Sequence, residues 1–138
     1  MDVIQEYNNI KQKPQGFLCN ISLINDKLEF HFYNKEKNII TSYPDNQQDE
    51  PFIKPGTIIE ELNLNEVKIT LAQAIEISEK NQKEESKRII TLHQTNHPIW
   101  NISHITPSYN LINTKINAIT GKIEEQTTES LLSNYSKK

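Results

Sequence analysis

From Thr70 to Ala118 the chain reads as one capped helix followed by three strand-length runs, and that order leaves few folds open. Thr70 and Gln73 stand at capping-box spacing, where each side chain satisfies the other residue's orphan backbone N–H. Behind them Leu71, Ala74, Ile75 and Ser78 fall on one helical face, and the small Ala74 and Ser78 let that helix lie close to a sheet. The helix is expected to end between Lys80 and Lys83. Three strands follow, Arg88 to Thr95, Ile99 to Ile105 and Tyr109 to Ala118, punctuated by Asn96-His97-Pro98 and Thr106-Pro107-Ser108. Alternation puts Trp100, Ile102 and His104 on one face of the second strand, and Ile112, Thr114, Ile116 and Ala118 on one face of the third. The fold class is therefore α+β, an antiparallel β-sheet packed against one main α-helix.

The N-terminal half reads as a terminal segment followed by three strand-length runs. Val3, Ile4, Tyr7 and Ile10 recur at helical spacing behind Asp2, which reads as a short helix ending before Pro14 and Gly16 or as a frayed tail. Phe17 to Ile24 and Lys27 to Tyr33 read as two strands joined at Asn25-Asp26, a pair that tolerates the positive φ of a two-residue hairpin. Leu28, Phe30 and Phe32 alternate with Glu29, His31 and Tyr33. Ile39 to Tyr43 reads as a third strand. The segment 44–56 carries Pro44, Pro51 and Pro55 and is expected to be a loop without regular structure, with Phe52 and Ile53 pinning its middle to the body. Thr57 to Ile69 reads as a short strand or an extended arm. The last segment, 124–138, is expected to be a polar tail in which Leu131, Leu132 and Tyr135 form a short docked turn. The whole, residues 1–138, is expected to be a single domain with the strand unit 17–43 beside the unit 69–123.

Composition narrows the function. A net charge of −3 with interspersed signs leaves no basic stripe to hold phosphates, so no nucleic-acid partner is expected. With 3 Gly in the chain, Gly-rich phosphate cradles are excluded. No apolar run approaches the roughly 20 residues that span a bilayer. Met1 to Pro14 is polar and lacks the apolar region of a secretory signal, so the chain reads as cytoplasmic at face value, and as an envelope or secreted protein if a leader has been removed. Cys19, the one cysteine, cannot form an internal disulfide and reads as a buried, inert thiol. The sequons at Asn20, Asn101 and Asn134 are expected by chance in a chain so rich in asparagine.

The run Ile116-Asn117-Ala118-Ile119-Thr120-Gly121-Lys122-Ile123 closes the third strand, and with Ile69 to Ile75 and the early aromatic Trp100 it carries a family resemblance. Ile69 to Ile123 resembles a PepSY-like domain, in which a helix precedes an antiparallel meander whose last strand ends in a V-D-A-x-T-G-x-V motif. Asn117 stands where the family carries Asp, and either side chain can bond the local backbone. Thr120 can bond the backbone of the turn, Gly121 supplies the conformation other residues resist, and Ile123 is expected to return to the core. The resemblance implies a PepSY-like, cystatin-like architecture and a binding or inhibitory module linked to peptidases or the cell envelope, without a catalytic constellation. It also leaves room for Phe17 to Tyr43 as a second, related strand unit.

The residues themselves offer little catalytic chemistry. His93, His97 and His104 lack zinc-ligand spacing, and neither metal nor other cofactor is expected. Glu60-Glu61 and Glu124-Glu125 are adjacent pairs, which extended chain sends to opposite faces, so neither pair can flank one bond. No G-x-S-x-G elbow is present. The candidate binding residues are Trp100, Tyr109 and His104, read either as core packing or as anchors on an open sheet face. The expected function is a non-enzymatic module that takes a protein or peptide partner. The alternative is a small-molecule or lipid pocket between sheet and helix. Oligomeric state is left open by the sequence.

Overall fold

Eight strands form one antiparallel sheet in the computed structural model, which describes residues 1–51, 56–80, 82 and 84–132. The order of elements is α1 (Val3–Asn8), β1 (Phe17–Ile24), β2 (Lys27–Asn34), β3 (Ile39–Tyr43), β4 (Gln47–Asp49), a 3₁₀ turn (Leu64–Glu66), α2 (Leu71–Glu79), β5 (Lys87–Gln94), β6 (Pro98–Ile105), β7 (Asn110–Asn117) and β8 (Ile123–Ser130). Across the sheet they run β4-β3-β2-β1-β5-β6-β7-β8. Each half of the chain is thus a short helix followed by a four-stranded meander, and the two meanders grow outward from a seam between their first strands.

Local chemistry sets these elements. Asp2 caps α1, its carboxylate accepting from the backbone N–H of Ile4 and Gln5. Asn25 and Asp26 take φ of 51° and 62°, the left-handed pair that the β1–β2 hairpin demands. Thr70 and Gln73 form the expected capping box, with bonds of 3.1 and 2.9 Å.

The core lies on one face of the sheet. At the seam Ile21 and Leu23 of β1 stand opposite Leu92 and Ile90 of β5. That row continues through Leu92, Trp100 and Ile116. On the other side Ile21 pairs with Phe30, and Phe32 follows on the same face. Leu71, Ala74 and Ser78 of α2 close over the second half, while Val3 and Ile10, with Tyr7 packed against Phe30 and Phe32, close over the first. Leu62 joins this layer, its N–H donating to the carbonyl of Leu18 at 2.8 Å. The second face carries Glu29, His31, Ser22, Asn20, Thr91, His93, Asn101 and Ser103 in register.

Four readings of the sequence are corrected. The sheet is larger than a meander on one main helix, and α2 spans only Leu71–Glu79. Gln47–Asp49, inside the expected loop, pairs with β3. Ile123–Ser130, inside the expected tail, pairs along the whole of β7. Ile123 itself is 39% exposed rather than returned to the core, because a bulge opposite Lys115 and Ile116 starts β8 at the rim. Phe52, Ile53, Lys83, Tyr135 and the sequon at Asn134 lie outside the described residues.

Candidate functional site

Trp100 and His104 point under the helices, not to solvent. The Trp100 side chain is 2% exposed, and its indole N–H donates to the carbonyl of Ile69 at 2.8 Å, fixing the chain just before α2. His104 is fully buried between two serines. Ser78 Oγ gives its proton to the carbonyl of Ile75 at 2.8 Å, so it accepts from His104 Nε2 at 3.0 Å. Nδ1 is then the acceptor for the Ser86 hydroxyl, 2.7 Å away. Burial holds this imidazole below its ordinary pKa; Glu79 opposes the shift and Arg88 adds to it. Neutral, doubly bonded and sealed, His104 ties β6 to α2 and has no free nitrogen for a ligand.

Tyr109 lies apart from both. It sits in the β6–β7 turn at φ 61°, with its N–H donating to the carbonyl of Thr106 at 2.9 Å. Its ring is 57% exposed. With Lys87, Ile105 and Pro107 it borders a cleft of about 440 Å³ at one end of the sheet. The structure therefore does not bring the three predicted residues together.

The helix-free face is the more organised surface. His31 bridges Ser22 and Ser42 across three strands, at 3.0 Å through Nε2 and 2.9 Å through Nδ1. Its pKa is lowered by burial, against the pull of Glu29. His93, one strand beyond Asn20, is lowered by burial and by Lys115. Ser103 donates to Asn113 Oδ1 at 2.8 Å. Between these groups the side-chain carbonyl oxygens of Asn20 and Asn101 are buried without a hydrogen-bond partner. Exposed Ile24 and Ile89 pair across the seam, and exposed Ile58 stands over a groove of about 550 Å³ that reaches Ser22, His31 and Ile40. Cys19 borders the same groove, but burial pushes its thiol up to about 11, so it is not a nucleophile near neutral pH. Among the described residues no group of three or more His, Cys, Asp or Glu side chains is placed to hold a metal ion.

Sequence reasoning missed this surface. Its signal is present at the opposite parity of each strand: Asn20 and Ser22 on β1, Thr91 and His93 on β5, Asn101 and Ser103 on β6, Asn113 and Lys115 on β7. These alternate positions are mostly polar, with Ile24 and Ile89 among the exceptions, and no helix among the described residues covers that side.

The expected turn after β7 is present in detail. Asn117 Oδ1 accepts from the N–H groups of Ile119 and Thr120 at 2.8 and 3.1 Å, Gly121 takes φ 82°, and Thr120 Oγ1 accepts from the N–H of Lys122 at 3.2 Å. Asn117 thus fills the role open to an aspartate here.

Comparison with known proteins agrees with this geometry. Residues 68–127 match the family model for PepSY, the peptidase propeptide and YPEB domain. The crystal structure of a candidate lipoprotein from Clostridium difficile 630 superposes with a TM-score of 0.58 at 16% identity, covering 92% of this chain and 88% of that one. No curated protein matches by sequence. No helix among the described residues is long and apolar enough to cross a membrane. The matched segment runs from just before α2 into β8, and this part of the chain is similar to a PepSY domain.

Proposed function

We propose that this chain is a non-enzymatic binding module that takes a protein or peptide partner on the uncovered face of its sheet. The observation that carries the reading is the exposed Ile24–Ile89 pair, set among polar side chains on a face that no helix covers among the described residues. Ile24 and Ile89 supply apolar contact to a partner, and Thr91 and Ser103 next to them supply polar contact. Tyr109 at the end of the sheet extends the same surface. The sealed state of His104 and the inert Cys19 support a non-catalytic role. The lipoprotein description of the structural neighbour supports a place in the cell envelope. The alternative pocket between sheet and helix has less support, since Ala74, Trp100, Ile102 and Ile116 are all buried within one core there.

A photo-crosslinking residue placed at Ile89 in the full chain tests the reading in cells. Capture of a protein from Ile89, and not from Glu76 on α2, is the expected result. Equal capture at both positions, or none above the unmodified chain, overturns it.

A further inference from the structure

The two edges of the sheet are unlike. One ends in β4, three residues long. The other ends in β8, eight residues long, with every residue exposed. Sheet edges are usually shortened, bulged, charged with lysine or broken by proline, because their free N–H and C=O groups template further pairing. β8 has a bulge only at its start, and neither proline nor lysine.

The hydrogen-bond phase of β8 identifies which groups are free. The Leu131 N–H donates to the carbonyl of Tyr109 at 2.8 Å, so that pair is a bonded one. In an antiparallel ladder bonded pairs alternate with non-bonded ones. Glu129, Thr127 and Glu125 therefore face β7 with their backbone groups, in register with Leu111, Asn113 and Lys115. Gln126 and Thr128 aim their N–H and C=O away from the sheet. The side chains follow the opposite rule. Those of Glu125, Thr127 and Glu129 stand on the helix-free face, while Gln126 on the other face bonds Thr114 at 3.1 Å.

Charge decides what suits this edge. β8 carries Glu124, Glu125 and Glu129 and no cation. Lys115 is 3.6 Å from Glu125, and Glu124 bonds His97, whereas Glu129 stands opposite Leu111. A second copy paired antiparallel about Thr127 would set Glu125 of each chain against Glu129 of the other, a like-charge contact that opposes self-pairing. A basic strand has the opposite sign.

We propose that β8 accepts an extended basic segment of a partner protein as a ninth strand. The partner's backbone bonds Gln126 and Thr128, and two lysine or arginine side chains four residues apart meet Glu125 and Glu129. The spacing follows from the sheet, where four residues span about 13 Å in either strand direction. Main-chain bonds supply affinity and the two carboxylates supply selectivity. The proposal rests on the protein-binding reading above and names the chemistry of the partner.

The test uses the full chain and a capped nine-residue threonine- and valine-containing peptide with lysines at its third and seventh positions. Binding is followed by amide shifts in NMR and by calorimetry. The expected result is perturbation centred on the Gln126 and Thr128 amides, weakened by added salt. Thr128→Pro removes an outward donor and leaves the β7 ladder whole, so it is expected to weaken binding at least tenfold with an unchanged melting temperature. Should that variant lose its fold, Glu125→Lys with Glu129→Lys serves instead, and is expected to switch preference to the peptide with glutamates at those positions. Shifts elsewhere, equal binding of lysine and glutamate peptides, or self-association through β8 overturns the proposal. If these results appear while the Ile89 crosslink is still captured, only the edge fails and the protein-binding reading stands.

Discussion

Gly16 shows how little latitude a single position can have. It takes φ 115°, and a Cβ there would stand 2.2 Å from the carbonyl oxygen of Tyr33. Strain and backbone clash add, so Gly16→Ala is expected to cost more than about 1 kcal/mol, read as a lower denaturant midpoint with unchanged slope. Trp100 is constrained by its polar handle as much as by its volume. Trp100→Phe keeps most of the apolar surface and loses the donor to Ile69, leaving a carbonyl without that partner at the entry to α2. A loss of about 1–3 kcal/mol is expected, and hydrogen exchange should quicken first in Leu71 to Ala74. At this scale the sequence was legible where one residue type has one use, as with Thr70, Asn25 and Gly121. It was not legible for Trp100 or His104, because an aromatic or imidazole at an inward strand position looks the same whether a helix or a ligand lies above it.

Elements announce themselves by what they bury. β1, β2, β5, β6 and β7 were readable because each sets an apolar row against the helices. β8 was not, since Ile123-Glu124-Glu125-Gln126-Thr127-Thr128-Glu129-Ser130 buries none of its residues and is held by backbone bonding to β7. The same reason hid Gln47–Asp49. Edge strands need a free neighbour more than an apolar face, and a free neighbour is a property of the assembled sheet. The α2 cap, by contrast, is wholly local. Thr70→Ala removes the acceptor for the Gln73 N–H and half of the reciprocal box, and is expected to destabilise by about 1 kcal/mol in thermal or urea unfolding. Thr70→Ser should restore nearly all of it.

For the molecule as a whole, three histidines act together. Burial is the leading cause that lowers His31, His93 and His104 below the ordinary 6.5. The unfolded chain therefore takes up protons near pH 6.5 that the folded chain refuses until a lower pH. Their contribution to stability is complete above 6.5, is lost as pH falls through the interval down to the lowered values, and levels off beneath them. Urea midpoints measured from pH 7.5 to 5 are expected to fall, and replacing His31 by Asn should flatten part of the slope. A midpoint independent of pH over that range would contradict the buried, neutral state of these rings. The two-meander plan was legible only in part. The strand unit 17–43 could be read from alternation, whereas its attachment through Ile21 and Leu92 joins positions too far apart in sequence for periodicity to link.

Trp100 is the chain's one tryptophan, and it is buried under α2, while Tyr7, Tyr33 and Tyr43 all belong to the first meander and its helix. Nature has in effect labelled the halves with different fluorophores. Excitation at the indole band reports the docking of the second half alone, and the tyrosine signal is weighted to the first. Coincident unfolding curves at the two wavelengths would mean that the β1–β5 seam makes the sheet one cooperative unit, and separated curves that it is a hinge between two.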